Sequence, residues 1–518
     1  MVSVTSRTEA EPPAAFDPAE GRLTAEESER AARDPQRPRY HFLPAPSWIN
    51  DPKPFYWDGA YHVYFQYCPG IPYSANKHWG HAVSRDLAHW EELPIALSPT
   101  PGGPDQDGCW TGCVLEHEGK FHILYTAIPH LTRPRFDQVQ SLATSEDLVH
   151  WEKYAGNPVI PASAKPEGFG NTFRDPQAWR EDDGWYCVIG GNVVEGQNEF
   201  KAGAPFLYRS ADLIHWEYLH PLCVGDVRAT EPVWTGSAWE CPQFLAFGEQ
   251  HALVISAWDH HTFYTVYFTG VYKDHHFTPE VTRKLDYGDN YFYAPQACVD
   301  AAGRTVMWGW LQEGRSREVQ RVAGWSGVMS LPRIVSMRSE GGLGFVPAPE
   351  LQALRGRRQQ LADVRLPPDS WYPLDPVRGD SLEIIADIAP GEAEMVGVAV
   401  RCSPDGAEQT LIFYDRMRGL LGVDASRSSL SDAAVRDVRS GPFDLAEGET
   451  LRLQIFVDRS AVEVFANGWA CVAARVYPER LDSLGVALFA RGGAATVLSL
   501  EAWEMGAIWD QGSTDTAD

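Results

Sequence analysis

From Tyr40 onward the chain alternates hydrophobic and polar positions in short runs. Tyr61, Val63, Phe65 and Tyr67 interleave with His62, Tyr64 and Gln66, a period of two that predicts a strand entered from the turn Asn50-Asp51-Pro52 and its continuation. Leu451, Leu453, Ile455 and Val457 alternate with Arg452, Gln454 and Phe456. Asp458-Arg459-Ser460 then turns, Ala461 to Phe465 alternates again, and Asn467-Gly468 follows as a hairpin-type turn. Helical periodicity is scarce outside an N-terminal arm and residues 349–362. The pattern predicts an all-β protein.

Within the first three hundred or so of these positions lies a repeat. Ser84-Arg85-Asp86-Leu87-Ala88-His89-Trp90-Glu91 returns as Ser145-Glu146-Asp147-Leu148-Val149-His150-Trp151-Glu152 and as Ser210-Ala211-Asp212-Leu213-Ile214-His215-Trp216-Glu217, at spacings of 61 and 65 residues. Lys273-Asp274-His275-His276-Phe277 reads as a decayed fourth copy. A fixed period holding several short strands marks a propeller, because one blade cannot bury both of its faces alone. The repeats are expected to end blades structurally. The expected organisation is a mobile arm at 1–38 with a short helix from Thr24 to Ala32, a five-bladed β-propeller at 39–345 and a linker at 346–362. A C-terminal β-sandwich at 363–510 and a disordered tail at 511–518 complete it.

Composition narrows the function. A net charge of −26 over 518 residues argues against nucleic-acid or anionic-membrane partners, whose phosphates would be repelled. Nine scattered cysteines form neither a zinc framework nor a disulfide scaffold. The N-terminus lacks a basic start followed by an apolar core, and no run reaches membrane-spanning length, which favours a cytoplasmic protein. His260-His261 and His275-His276 are adjacent pairs, whose rings point to opposite strand faces and do not converge on a metal. Nineteen tryptophans serve either as core or as platforms for sugar rings.

Three carboxylates stand at the starts of blades, where the first strand lines the central channel. These are Asp51, Asp175 in Asn171-Thr172-Phe173-Arg174-Asp175-Pro176, and Glu240 in Trp239-Glu240-Cys241-Pro242. Each is followed by proline directly or one residue later. Acidic groups from different blades converging on one funnel are costly as scaffolding, and they suit glycoside chemistry, which runs on paired carboxylates.

Those three motifs, Trp48-Ile49-Asn50-Asp51-Pro52, Phe173-Arg174-Asp175-Pro176 and Trp239-Glu240-Cys241-Pro242, resemble the signatures of glycoside hydrolase family 32. The likeness runs from about 40 to 500, through Trp79-Gly80-His81, Asp286-Tyr287-Gly288, Leu331-Pro332-Arg333 and Phe456-Val457-Asp458-Arg459-Ser460. It implies a retaining enzyme acting on β-fructofuranosyl linkages of sucrose, fructo-oligosaccharides or fructan ends, with a carbohydrate partner and no metal or cofactor. By motif, Asp51 is the nucleophile, Glu240 the general acid and then base, and Asp175 the holder of fructose hydroxyls. Asn50, Gln66, Trp79, Trp110 and Thr111 resemble pocket positions. Asn50 equally caps its own turn, and Arg174 either binds a hydroxyl or forms a local salt bridge.

The chain departs from the family where Lys53-Pro54 replaces Asn-Gly, Cys68 replaces Asn, and Gln243 replaces an acidic residue. These changes bear on substrate and acceptor. Transfructosylation, including release of cyclic difructose, is the alternative to hydrolysis, and a non-catalytic sugar-binding protein is a third reading. An arabinan-cleaving five-blade enzyme would invert, with its carboxylates set farther apart. Lys53, two residues from Asp51, either brings its ammonium to the nucleophile or faces solvent on the channel rim.

Overall fold

The computed structural model describes residues 25–44, 47–69, 76–131, 137–195 and 198–509. Five antiparallel sheets, each with four main strands and the third and fifth with one added, Asn198–Gly203 and Val328–Met329, follow one another from Ser47 to Pro347. Their first strands are Ser47–Trp57, Cys109–His117, Phe169–Glu181, Ala238–Phe247 and Tyr293–Val299. Each packs on the next and the fifth packs on the first. The ring is therefore a closed five-bladed propeller whose inner strands line the axis. Backbone bonds seal the joint between its ends: Ile49 N donates to Ser326 O, Ser326 N to Ser47 O, and Met329 N to Phe42 O, all at 3.0 Å.

The repeated octapeptides do not end blades; they join the third strand to the fourth. In each copy the aspartate caps the turn. Asp147 Oδ1 accepts from Val149 N and His150 N at 2.9 and 2.8 Å, while its Oδ2 pairs with His150 Nδ1 at 2.7 Å. Asp86 and Asp212 do the same with His89 and His215. The leucine of each copy, Leu87, Leu148 or Leu213, turns left-handed at φ 59°, 66° or 65° and is buried. A polar cap outside and an apolar plug inside explain why the sequence recurs.

The C-terminal domain is two six-stranded sheets face to face. One orders Arg355–Leu366, Ala495–Met505, Ser381–Ala389, Leu451–Asp458, Ala461–Ala466 and Ala470–Arg475. The other orders Ser370–Arg378, Gly485–Arg491, Met395–Cys402, Thr410–Asp415, Leu420–Asp424 and Val438–Pro442. Their inner faces share an aliphatic core that includes Ile384, Val398, Ile412, Ile455, Val464 and Leu488.

Three expectations change. The linker expected to 362 holds a 3-10 turn, Pro349–Leu354, and then an edge strand of the sandwich, so its pattern is not helical. The helix Ala25–Ala32 is present, but the arm is not free from there on. Ala31 is buried, Asp34 accepts from Trp325 Nε1 at 2.9 Å, and Arg459 donates to the Arg37 carbonyl at 2.9 Å. Thr24, the start of the arm and the tail lie outside the described residues. The helix Arg317–Ala323, capped by Ser316 and closed by left-handed Gly324, was not visible in the periodicity.

Propeller and sandwich are welded by a buried ionic cluster. Arg333, fully enclosed, bonds Asp286 at 2.7 Å and Glu463 of the sandwich at 2.6 Å. His41 lies between Asp458 at 3.0 Å and Glu463 at 3.1 Å. Tyr40, Phe42, Phe456, Phe465 and Trp503 close one hydrophobic core around it.

Candidate active site

Every inner strand carries the same irregularity. In blade 1 the pairing runs Asn50 to Gln66 and then Pro52 to Phe65, so Asp51 is extra, with φ 41°. Asp175, Cys241 and Ala294 occupy the corresponding bulges of blades 3, 4 and 5 at φ 64°, 46° and 49°. Blade 2 bulges between Cys109 and Gly112. A β-bulge turns the extra residue out of the ladder and re-aims its side chain, and aspartate tolerates the left-handed region better than most residues. The residue after each left-handed position is a proline, whose missing N–H costs nothing where the ladder is already broken. Asn50-Asp51-Pro52 is therefore a kink inside a strand, not a turn before one. The kinks point at the axis, and three of them deliver carboxylates there.

Asp51 is oriented from both sides: Asn50 Nδ2 donates to Oδ1 at 2.7 Å and Thr111 Oγ1 to Oδ2 at 2.6 Å. Gln66 Nε2 donates in turn to Thr111 Oγ1. Asp175 accepts from Cys241 N at 3.0 Å, and the Cys241 thiol lies 3.5 Å from Asp175 Oδ2 and 3.9 Å from Asp51 Oδ2. Glu240 is gripped by Arg174 at 3.0 and 2.6 Å on Oε1 and by the Tyr293 hydroxyl at 2.6 Å on Oε2. Arg174 therefore makes its salt bridge to another candidate acid rather than to its neighbour Asp175, from which its guanidinium is 4.0 Å away.

Burial pushes Asp175 up to about 7; Arg174 works against this, and Glu240 and Asp51 add to it. Burial likewise pulls the Lys53 ammonium down to about 7, with Asp51 opposing. The Cys241 thiol is raised by burial and by the carboxylates around it, so it stays protonated.

All ten residues expected at the site gather here, in two layers. Asn50, Asp51, Trp110, Arg174, Asp175 and Glu240 surround the mouth, where Lys77 Nζ sits between Trp48 at 4.7 Å and Trp110 at 5.0 Å. Gln66, Thr111, Trp79 and Lys53 lie behind them. Trp79 is wholly buried and bonds the Trp110 carbonyl at 2.9 Å, so it supports the pocket wall and offers no sugar platform. Lys53 is 1% exposed, which removes the rim reading. The buried Oδ1 of Asn50 and Oε1 of Gln66 have no hydrogen-bond partner. Sequence reasoning missed Tyr293, Cys241 and Lys77. The proline after Ala294 was the signal for Tyr293, since it marks the same bulge as the prolines after the carboxylates.

A propeller funnel with three carboxylates on three blades, one flanked by hydroxyl and amide donors and another by a guanidinium, defines a glycoside-cleaving enzyme. Comparison with known proteins agrees. Residues 41–347 match the family model for the glycosyl hydrolases family 32 N-terminal domain, and residues 350–504 match its C-terminal model. The chain belongs to glycosyl hydrolase family 32 and is a glycosidase. It is 32% identical over 489 residues to a sucrose-6-phosphate hydrolase of Zymomonas mobilis, covering 90% of this chain and 92% of that one. It is also 32% identical over 492 residues to a raffinose invertase of Escherichia coli, covering 90% and 94%. The solved fructan 1-exohydrolase IIa of Cichorium intybus superposes with a TM-score of 0.80 at 26% identity, over 92% of this chain and 99% of that one.

Proposed function

We propose that this glycosidase cleaves β-fructofuranosyl linkages, in sucrose, fructo-oligosaccharides or fructan ends, with retention of configuration. The observation that carries the reading is the division of labour among the carboxylates. Asp51 is held by two short donor bonds from Asn50 and Thr111, while Glu240 is held by Arg174 and Tyr293. Support comes from relatives solved with 1-kestose and with sucrose, at 26% and 27% identity.

Asp51 attacks the anomeric carbon of the fructosyl unit as Glu240 gives a proton to the departing glycosidic oxygen. A carbon–oxygen bond to Asp51 forms, the glycosidic bond breaks, and the leaving sugar takes the proton. Glu240, now a carboxylate, draws a proton from water, which attacks the same carbon and releases Asp51. The two displacements return the original configuration. Asp175 faces the ring hydroxyls and the positive charge that builds at the ring oxygen. The unpartnered acceptor of Asn50, in the layer at the mouth, suits a sugar hydroxyl.

The test incubates the protein with sucrose, sucrose-6-phosphate, inulin and levan, follows products by chromatography and reads the first-formed fructose anomer by NMR. Free β-fructose from at least one substrate is expected. Asp51→Ala should abolish turnover in a folded protein, and Glu240→Ala should retain activity only on a substrate with an activated leaving group, which needs no proton. Wild-type rates in Asp51→Ala, or an α-anomer as first product, would refute the assignment. Larger oligomers or a cyclic dimer in place of fructose would identify another sugar as acceptor.

A further inference from the structure

Lys53 is the departure from the family pattern that lies nearest the chemistry, and the mechanism above does not use it. Its side chain lies in the wall of the channel, shut from solvent, with Nζ 2.8 Å from the Asp51 carbonyl and 4.6 Å over the Trp79 ring. Enclosing an ammonium costs several kcal/mol, and a methionine would fill the same space against Trp79 without that cost. The carbonyl it holds belongs to the extra residue of the bulge, which the ladder skips. The lysine thus ties down a backbone oxygen that the strand itself leaves without a ladder partner.

It also adds positive charge behind the carboxylates. The groups that face it are Asp51 from its own strand, Lys77 from just before the third strand of blade 1, Asp175 from blade 3 and Cys241 from blade 4. Asp51 and Asp175 both approach the Cys241 thiol, and Asp51 helps to hold the Asp175 carboxyl up at about 7, so over the pH range where Lys53 is charged its ammonium faces chiefly Asp51.

We propose that Lys53 is a positioning residue for fructosyl transfer: its ammonium locks the bulged Asp51 peptide and sets a positive charge behind that carboxylate. This rests on the functional reading above. Two consequences follow from the geometry. Lys53 touches no sugar, so its loss acts on kcat and not on KM. Because burial lowers the ammonium to about 7, turnover should decline as pH rises through that value and the charge is lost.

The experiment compares pH profiles of wild type, Lys53→Gln and Lys53→Arg on sucrose and on β-fructofuranosyl fluoride. The fluoride leaves without help from Glu240, so the pH profile of its kcat/KM reports the attack by Asp51. Wild type should show an alkaline limb near pH 7 on the fluoride. Lys53→Gln should lose at least about tenfold in kcat at about pH 6 on both substrates, with KM held and the limb gone. Lys53→Arg, charged throughout, should move the limb up by more than about two pH units. Wild-type kcat and an unmoved limb in Lys53→Gln would overturn the inference alone, and so would a loss confined to KM. If Lys53→Gln does not fold, a limb still near pH 7 in Lys53→Arg overturns it. A wild-type protein that leaves every fructosyl substrate intact overturns the functional reading and this inference together.

Discussion

Replacing Asp175 with asparagine should raise stability while lowering activity. Burial holds the Asp175 carboxyl at about 7 against an ordinary 3.8, with Glu240 and Asp51 adding to burial and Arg174 opposing it. The sign follows from the direction of the shift. A carboxyl raised on folding contributes its stability in full below the unfolded value of 3.8, and loses it progressively as pH climbs to about 7. At pH 8 the folded protein carries an ionised Asp175 whose enclosure costs about 4 kcal/mol, from roughly three pH units at 1.36 kcal/mol each. At about pH 5 the cost is less than half of that by the same arithmetic. Asparagine has the same shape, keeps an oxygen for the Cys241 N–H at 3.0 Å and has no charge to enclose. Thermal unfolding of both proteins at about pH 5 and about pH 8 should show the variant ahead by several degrees at the higher pH and by less at the lower. The rate on sucrose should fall at least about tenfold, since the amide nitrogen replaces one of the oxygens that accept from the ring hydroxyls. A variant less stable at both values, or a gain that does not grow with pH, would refute the picture of Asp175 as an enclosed, strained charge.

Three further outcomes are expected. His41→Gln removes a cation from between Asp458 and Glu463 and should cost about 3–5 kcal/mol. Burial alone would depress His41, but its two carboxylate bonds raise it above 6.5, so this contribution is full below that value and fades as pH rises through the folded one. Urea melts across pH check the trend. Tyr293→Phe takes the 2.6 Å hydroxyl bond from Glu240 and should lower kcat/KM on sucrose about tenfold to a hundredfold; unchanged rates would show that Arg174 alone orients the acid. Gly112→Ala places a Cβ 2.0 Å from the Leu124 carbonyl, beside the Thr111 that orients Asp51, and should lower the melting temperature and the activity together, measured by calorimetry and rate.

Much of this molecule is legible in its sequence because two periods overlie one another. Strand alternation reports the all-β class, and the recurrence of Asp-Leu-x-His-Trp reports the blade, since an aspartate cap and a buried leucine make the same turn in blades 1 to 3. Other features depend on contacts between segments far apart in the chain. Arg315 meets Asp34, and His41 meets Asp458 and Glu463, so the docking of the arm and the ionic weld between domains were invisible to any local pattern. Residues 349–362 misled because an edge strand with one exposed face and a preceding 3-10 turn can carry apolar residues at helical spacing.

The site itself shows why proline was a better guide than acidity. A buried carboxylate in a strand has no reason to precede proline unless the ladder is already interrupted there. Four blades interrupt it at the same height and follow the left-handed residue with proline, yet only three of them contribute a carboxylate. In the fifth blade the residue is Ala294, preceded by Tyr293, whose hydroxyl serves Glu240. Blade 2 reaches the same height without proline and contributes Thr111 to Asp51. The bulge is thus a property of the propeller, set by the need to aim side chains down a narrow axis. The chemistry is what each blade then places on it: a nucleophile, its hydroxyl donor, a sugar-facing carboxylate, an acid and the phenol that holds the acid. In this chain Lys53, two residues beyond Asp51, donates to the carbonyl of that bulged residue, so the first blade ties down from behind the peptide that aims its carboxylate.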